Sequence, residues 1–165
     1  MVWRINKIPC TEPLCALPAE LDLSALSRVL VFAPHPDDES LGCGGTLAIL
    51  AKRIGVDVKV VLVTDGSGAG ELPLGTDVIR QGEFVSALHV LGIDDSVMLN
   101  HPDGFFHDGM VFEEELMGLI QQYEPEWILC PPPTEINRDH RAIAASILHR
   151  TECHPPKLLF CIFGS

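Results

Sequence analysis

The chain has 165 residues, of which 47% are hydrophobic, and its mean hydropathy is +0.24. This length suits one domain, and the apolar fraction excludes a disordered chain. The net charge of −12, from 23 acidic and 11 basic residues, disfavours nucleic acids and anionic membrane surfaces as partners. No run approaches about 18 apolar residues, so no membrane span is predicted. The first residues show no apolar secretory segment, and we expect a cytoplasmic protein.

Strand-like and helix-like segments alternate along the chain. Residues 1–27, punctuated by prolines, are predicted to be an irregular N-terminal extension. Strands are predicted at 28–33, 56–64, 96–99, 126–130 and 157–163, and helices at 40–54, 76–91, 111–123 and 141–150. This alternation predicts an α/β fold with a parallel sheet of about five strands and helices on both faces. In the strand order 3-2-1-4-5, the first and fourth strands are neighbours where the winding reverses.

The turn after the first predicted strand, PHPDDE at 34–39, is rich in metal-binding groups. His35 and Asp38 are three residues apart at a helix entry, so both can point at one cation. His140 follows the fourth predicted strand, which the strand order places beside the first. Two imidazoles and one carboxylate with an open fourth position form a pattern typical of catalytic zinc, although Fe²⁺ or Co²⁺ also suits it. Asp37 is the nearest carboxylate to serve as general base.

Simpler roles exist for the same residues. Acidic residues ahead of a helix commonly cap it, and we assign that role to Glu39. A histidine that begins a helix, such as His140, is commonly a surface residue. A nucleotide-binding domain is a weaker alternative for the glycine-rich segment 42–45, because the G-x-G-x-x-G fingerprint needs glycine at position 47, where this chain has Leu47.

Several short motifs occur in order between residues 28 and 150: APHPDDE at 33–39, GCGGTLA at 42–48, R-x-x-E at 80–83 followed by LG at 91–92, PDG at 102–104 and DHRA at 139–142. Together they resemble the LmbE/PIG-L family of zinc-dependent N-acetylglucosaminyl deacetylases. The resemblance implies a Rossmann-like deacetylase domain over 28–165 and one zinc ion. It also implies hydrolytic removal of an acetyl group from an N-acetylglucosaminyl-type amino-sugar conjugate by metal-activated water.

The resemblance also implies roles for single residues. The metal ligands would be His35, Asp38 and His140, with Asp37 as general base. Candidates for substrate contacts are Arg80, Asp103, which would bind a sugar hydroxyl, and the weaker Asp65. The simpler alternatives are a solvated helix charge for Arg80 and a turn-forming residue before glycine for Asp103.

This chain departs from the family pattern in two places. Many members have H-x-D-H in the last motif, with the first histidine oriented by the aspartate, where this chain has Asn137 and Asp139 before His140. Asn137 can donate a hydrogen bond to an oxyanion but cannot deliver a proton. The chain also ends at Ser165, where members continue, so we expect a C-terminal truncation. An impaired metal- or sugar-binding relic of the family therefore stays open as an alternative, and so does a homo-oligomer.

Overall fold

The computed structural model describes residues 2–4, 26–68, 73–104, 110–151 and 157–161. Six strands and four helices lie within these ranges. The strands are β1 Val2–Arg4, β2 Arg28–Ala33, β3 Asp57–Thr64, β4 Asp95–His101, β5 Trp127–Cys130 and β6 Lys157–Cys161. The helices are α1 Asp38–Leu50, α2 Thr76–Leu91, α3 Met110–Tyr123 and α4 Arg138–Thr151. None of the helices in these ranges combines the length and apolar character that a membrane crossing requires.

The strands form one sheet in the order β1-β6-β5-β2-β3-β4. Strand β2 pairs in parallel with β3 on one side and with β5 on the other, so Val31 has Val60 and Leu129 as its two partners. This confirms the predicted position of the first strand between the second and the fourth. Strand β6 continues the parallel arrangement beyond β5. The carboxyl ends of β2 and β5 therefore meet at one edge of the sheet.

Several element bounds differ from the sequence prediction: helix α1 ends at Leu50 rather than at 54, and β4 extends over Asp95–His101 rather than 96–99. Two further differences have a clear physical reason. Residues 2–4, predicted to be irregular, form β1, which pairs antiparallel with β6 and makes the sheet six-stranded. The β-forming Val2 and Trp3 find a partner about 160 positions away, which local patterns do not reveal. Helix α4 begins at Arg138 rather than at 141, because the Asn137 side-chain oxygen accepts the Asp139 backbone N–H at 2.8 Å.

Helices cover both faces of the sheet. Alternate side chains of β2 point in opposite directions: Val31 packs in one apolar cluster with α1 and α2, and Phe32 packs in the other with α3 and α4. This burial on both faces explains the continuous apolar runs of the central strands. The first cluster includes Leu47, Leu50, Phe84 and Leu88, and the second includes Phe112, Leu116, Ile143 and Ile147. The sheet is thereby a rigid base for the turns at its carboxyl edge.

Candidate metal centre and active site

Two turns that are far apart in sequence meet at the carboxyl edge of the sheet. His35 lies in the turn between β2 and α1, and His140 lies in the first turn of α4, directly after β5. Their ring atoms Nδ1 and Nε2 are 3.1 Å apart although 105 positions separate the residues. The structure thus brings the two motifs together, as the predicted strand order requires.

Three atoms at this meeting point have the spacing of a metal site. Asp38 Oδ2 lies 3.2 Å from His35 Nδ1 and 3.1 Å from His140 Nε2. Ligands placed tetrahedrally around zinc at their usual bond lengths are about 3.3 Å apart. All three side chains are largely buried, with exposed fractions of 12%, 6% and 3% for His35, Asp38 and His140. This donor set fits a zinc ion with one position left for another ligand.

The electrostatics of the cluster favour a cation. Burial alone would lower the pKa of His35, but hydrogen bonds and charges from Asp103 and Asp38 outweigh it and raise the pKa to about 10. Burial would raise the pKa of Asp38, yet hydrogen bonds from His140 and His35 lower it to about 2. Both shifts show that the carboxylates around His35 favour positive charge at this position.

Two further carboxylates contact the other nitrogen of His35. Its Nε2 lies 3.1 Å from Asp103 Oδ1 and 3.2 Å from Asp139 Oδ2. Asp139 Oδ2 also accepts the Gly104 backbone N–H at 2.8 Å. Histidine ligands of metals usually donate their second N–H to a carboxylate, which fixes the ring orientation. Asp139 is therefore placed to orient His35, and the role towards position 137 that the family pattern implied stays a prediction.

Asp37 stands beside the cluster in a strained backbone conformation, with φ at 124°. Its carbonyl accepts the first bonds of α1 from Ser40 and Leu41, but its side chain makes no capping bond and is 58% exposed. Partial burial of the side chain and the negative charge of Asp38 raise the pKa of Asp37, and the positive charge of Arg80 offsets part of this rise. Asp37 is thus a solvent-facing carboxylate available for proton transfer.

Glu39 has the helix-start role that the sequence predicted. Its side chain is fully buried, and its Oε2 accepts the Asp37 backbone N–H at 3.2 Å. Oε1 accepts the Ser40 hydroxyl at 2.6 Å. Burial raises the pKa of Glu39, although the Ser40 bond opposes the shift. Glu39 therefore stabilises the entry into α1 and does not face the metal cluster.

The candidates for substrate contact also have partners within the protein. Arg80 donates to the carbonyl oxygens of Pro36 and Gly66, and its 17% exposure excludes a freely solvated charge. Asp65 Oδ1 accepts the backbone N–H groups of Ser67 and Asp103. The carboxylate of Asp103 faces His35 and Arg80. Substrate contacts by Arg80, Asp103 and Asp65 stay predictions.

Sequence reasoning missed two residues that shape the site. Thr64 ends β3, and its buried hydroxyl donates to the Pro34 carbonyl at 2.7 Å, which fixes the start of the His35 turn. Gly68 packs so closely that a Cβ there would lie 2.7 Å from the Asp103 carbonyl oxygen. The glycines after β3 could have indicated this contact from the sequence, because a glycine-rich loop indicates close approach of another group. In the structure, that group is the loop that contains Asp103.

Comparison with known proteins agrees with this geometry. Residues 30–150 match the PIG-L family, described as GlcNAc-PI de-N-acetylase. A probable N-acetyl-α-D-glucosaminyl L-malate deacetylase 2 from Bacillus cereus is 30% identical over 140 residues, 78% of this chain and 62% of that protein. The diacetylchitobiose deacetylase of Thermococcus kodakarensis is 30% identical over 143 residues, 79% of this chain and 53% of the other.

A solved structure shows the same fold. The N,N'-diacetylchitobiose deacetylase from Pyrococcus horikoshii aligns with a TM-score of 0.72 at 24% identity, over 84% of this chain and 61% of that one. The chain spans only part of the curated deacetylases compared with it, from 30% of the length of one to 62% of another. Since the family match covers well over half of the sequence, the chain belongs to the PIG-L family.

Proposed function

We propose that this protein is a zinc-dependent hydrolase that removes the acetyl group from an N-acetylglucosaminyl-type amino-sugar conjugate. The observation that carries the proposal is the group of three ligand atoms from His35, Asp38 and His140, spaced 3.1–3.2 Å apart beside the exposed Asp37. Membership of the PIG-L family and the names of its deacetylase relatives support it. The same ligands suit Fe²⁺ or Co²⁺.

His35, Asp38 and His140 would hold the ion, which when bound activates water and polarises a carbonyl oxygen. Asp103 and Asp139 keep the ring of His35 in place through its Nε2. Asp37 takes the proton from the attacking water at its exposed carboxylate. Its raised pKa favours uptake of that proton, which Asp37 then returns to the departing amine nitrogen.

Asn137 is proposed to stabilise the oxyanion of the tetrahedral intermediate. Its side-chain oxygen caps α4, so the amide NH₂ is the group that would donate. Because asparagine supplies no proton, both proton transfers are assigned to Asp37. The predicted cytoplasmic location and the homo-oligomer stay predictions, and the net charge of −12 supports small molecules over nucleic acids as partners.

Metal analysis combined with an acetate-release assay tests the proposal. The purified protein should bind one zinc per chain and release acetate from diacetylchitobiose or an N-acetylglucosaminyl conjugate. Asp37→Asn should lower the rate by about 10²- to 10⁴-fold, the usual contribution of a general base, with zinc content unchanged.

The relic alternative, favoured by Asn137 in place of histidine, predicts a different outcome. The protein would then bind metal or sugar, release no acetate at any pH, and bind equally well after Asp37→Ala. A protein that neither binds zinc nor releases acetate when zinc is added would overturn the proposed function.

A further inference from the structure

We propose that Arg80 is a positioning residue: it holds the peptide group before Asp37 and so keeps Asp37 in its strained backbone conformation. Arg80 is then not a binding group for a charged part of the substrate. The inference rests on the proposed deacetylase function, in which Asp37 transfers the protons. Arg80 lies in the first half of α2, outside both motifs that supply the candidate metal ligands.

The guanidinium group joins two loops through backbone atoms. Nη2 donates to the Pro36 carbonyl at 3.0 Å, and Nη1 donates to the Gly66 carbonyl at 2.7 Å. These carbonyls belong to the turn after β2 and the loop after β3. The planar fork of an arginine can hold two acceptors at a fixed separation, which an ammonium group on a flexible stem cannot do.

Gly66 makes room for this arrangement. Its φ is +73°, and a Cβ built there would lie 2.8 Å from Pro36 Cγ and 3.3 Å from Arg80 Nη1. A side chain at this position would collide with the proline ring and crowd the guanidinium. The backbones of the two loops therefore form the binding site of the Arg80 guanidinium group.

The peptide between Pro36 and Asp37 is held from both sides. Arg80 binds its carbonyl oxygen, and Glu39 Oε2 accepts its N–H at 3.2 Å. This peptide leads into the residue with φ of 124°, a conformation that costs of order 1–3 kcal/mol and persists only when surrounding contacts enforce it. Arg80 and Glu39 are such contacts, and together they fix the direction of the Asp37 side chain.

The surroundings of Arg80 do not suit an anionic ligand. Two carboxylates already face the guanidinium, with Asp37 Oδ2 at 3.6 Å and Asp103 Oδ2 at 3.7 Å. Both terminal nitrogens are engaged, and 17% of the side chain is exposed. A carboxylate or phosphate on the substrate would meet Asp37 and Asp103 before it paired with Arg80. The positive charge is thus used within the protein.

Kinetics with one neutral and one anionic substrate separate the two roles. Diacetylchitobiose and N-acetylglucosaminyl L-malate would be assayed with wild type, Arg80→Ala, Arg80→Lys and the exposed control Arg138→Ala. A displaced Asp37 should lower kcat by about 10²-fold on both substrates alike, as small misplacements of catalytic groups do, with little change in KM. Arg80→Lys should restore little of the loss, and Arg138→Ala should leave the rate unchanged. A selective rise in KM for the malate conjugate with kcat retained would overturn the proposal.

Amide hydrogen exchange gives a second readout that needs no turnover. In Arg80→Ala and Arg80→Lys, peptides covering 34–40 and 66–68 should exchange faster than in wild type, with α3 unchanged and zinc still bound. Unaltered exchange in both segments would overturn the positioning role even if the wild type released no acetate. If the Arg80 variants exchanged faster but the wild type released no acetate, Arg80 would still position the turn at 34–40. Only the proposed function would then be overturned.

Discussion

The two ends of the sheet both carry acidic side chains, but the environments differ. At the carboxyl ends of the strands, Asp38 and Asp139 are buried and contact the ring of His35. At the amino ends, Asp95 is 54% exposed and pairs with Lys59 at 2.7 Å, near Tyr123. Exposed pairs of this kind contribute about 0–1 kcal/mol. The carboxylates at the two ends therefore differ in burial and in their contacts with imidazole rings, and these differences, rather than the number of carboxylates, distinguish the candidate site.

The largest expected effect comes from removing a ligand at the carboxyl end. His140→Ala deletes one of the three donor atoms and leaves Asp38 with a single imidazole partner there. We expect loss of stoichiometric zinc, measured by metal analysis, and no detectable acetate release. Asp95→Asn, at the other end, is the matched control and should keep both properties. Full zinc content in His140→Ala would contradict the proposed site.

A smaller effect is expected at Asn137. Asp caps helices about as well as Asn, so Asn137→Asp keeps the bond to the Asp139 N–H but removes the amide donor. We expect acetate release to fall by about 10²- to 10³-fold, as for other oxyanion donors. Urea unfolding should show near-normal stability for this variant and a loss of about 0.5–2 kcal/mol for Asn137→Ala. If Asn137→Asp released acetate at the wild-type rate, Asn137 would act only as a helix cap and not as an oxyanion donor.

Asp139→Asn tests the orientation of His35. The substitution keeps the size of the side chain and an acceptor for Gly104, but removes the negative charge beside His35 Nε2. Zinc affinity, measured by competition with a chelator, should fall by about 10- to 100-fold, as is typical for such supporting carboxylates. Unchanged affinity would show that Asp103 alone orients the ring.

The smallest effect concerns the amino end. Burial, with the charges of Asp57 and Asp95, raises the pKa of Tyr123 to about 12, and Tyr123 is the single tyrosine of the chain. Its ultraviolet titration should therefore be centred near 12 in the folded protein and near 10 after unfolding. Since ionisation is disfavoured in the folded state, the free energy of unfolding should decrease as pH rises above 10 towards 12. Asp95→Asn should lower this pKa without changing acetate release. A folded-state titration near 10 would contradict the burial of the hydroxyl.

The winding of the sheet and the meeting of His35 with His140 could be predicted from the sequence. Continuous apolar runs mark the central strands, and parallel strands place their carboxyl ends at one edge. The contacts of Asp139 with His35 and of Arg80 with two carbonyls could not be predicted. They depend on how separate loops pack in space, whereas the motifs specify residue types only. Strand β1 was missed for a similar reason, since its partner β6 lies at the far end of the chain.

The pairing of β1 with β6 also brings distant parts of the chain together. Val2 lies opposite Cys161, so residues near the start and near the end share one border of the sheet. Strands β6 and β5 separate that border from β2 and the His35 turn. A fused domain or affinity tag attached near either position would therefore project from the same side of the molecule. Deleting residues 2–4 would uncover the hydrogen-bonding edge of β6 and offer it to other chains, which favours aggregation.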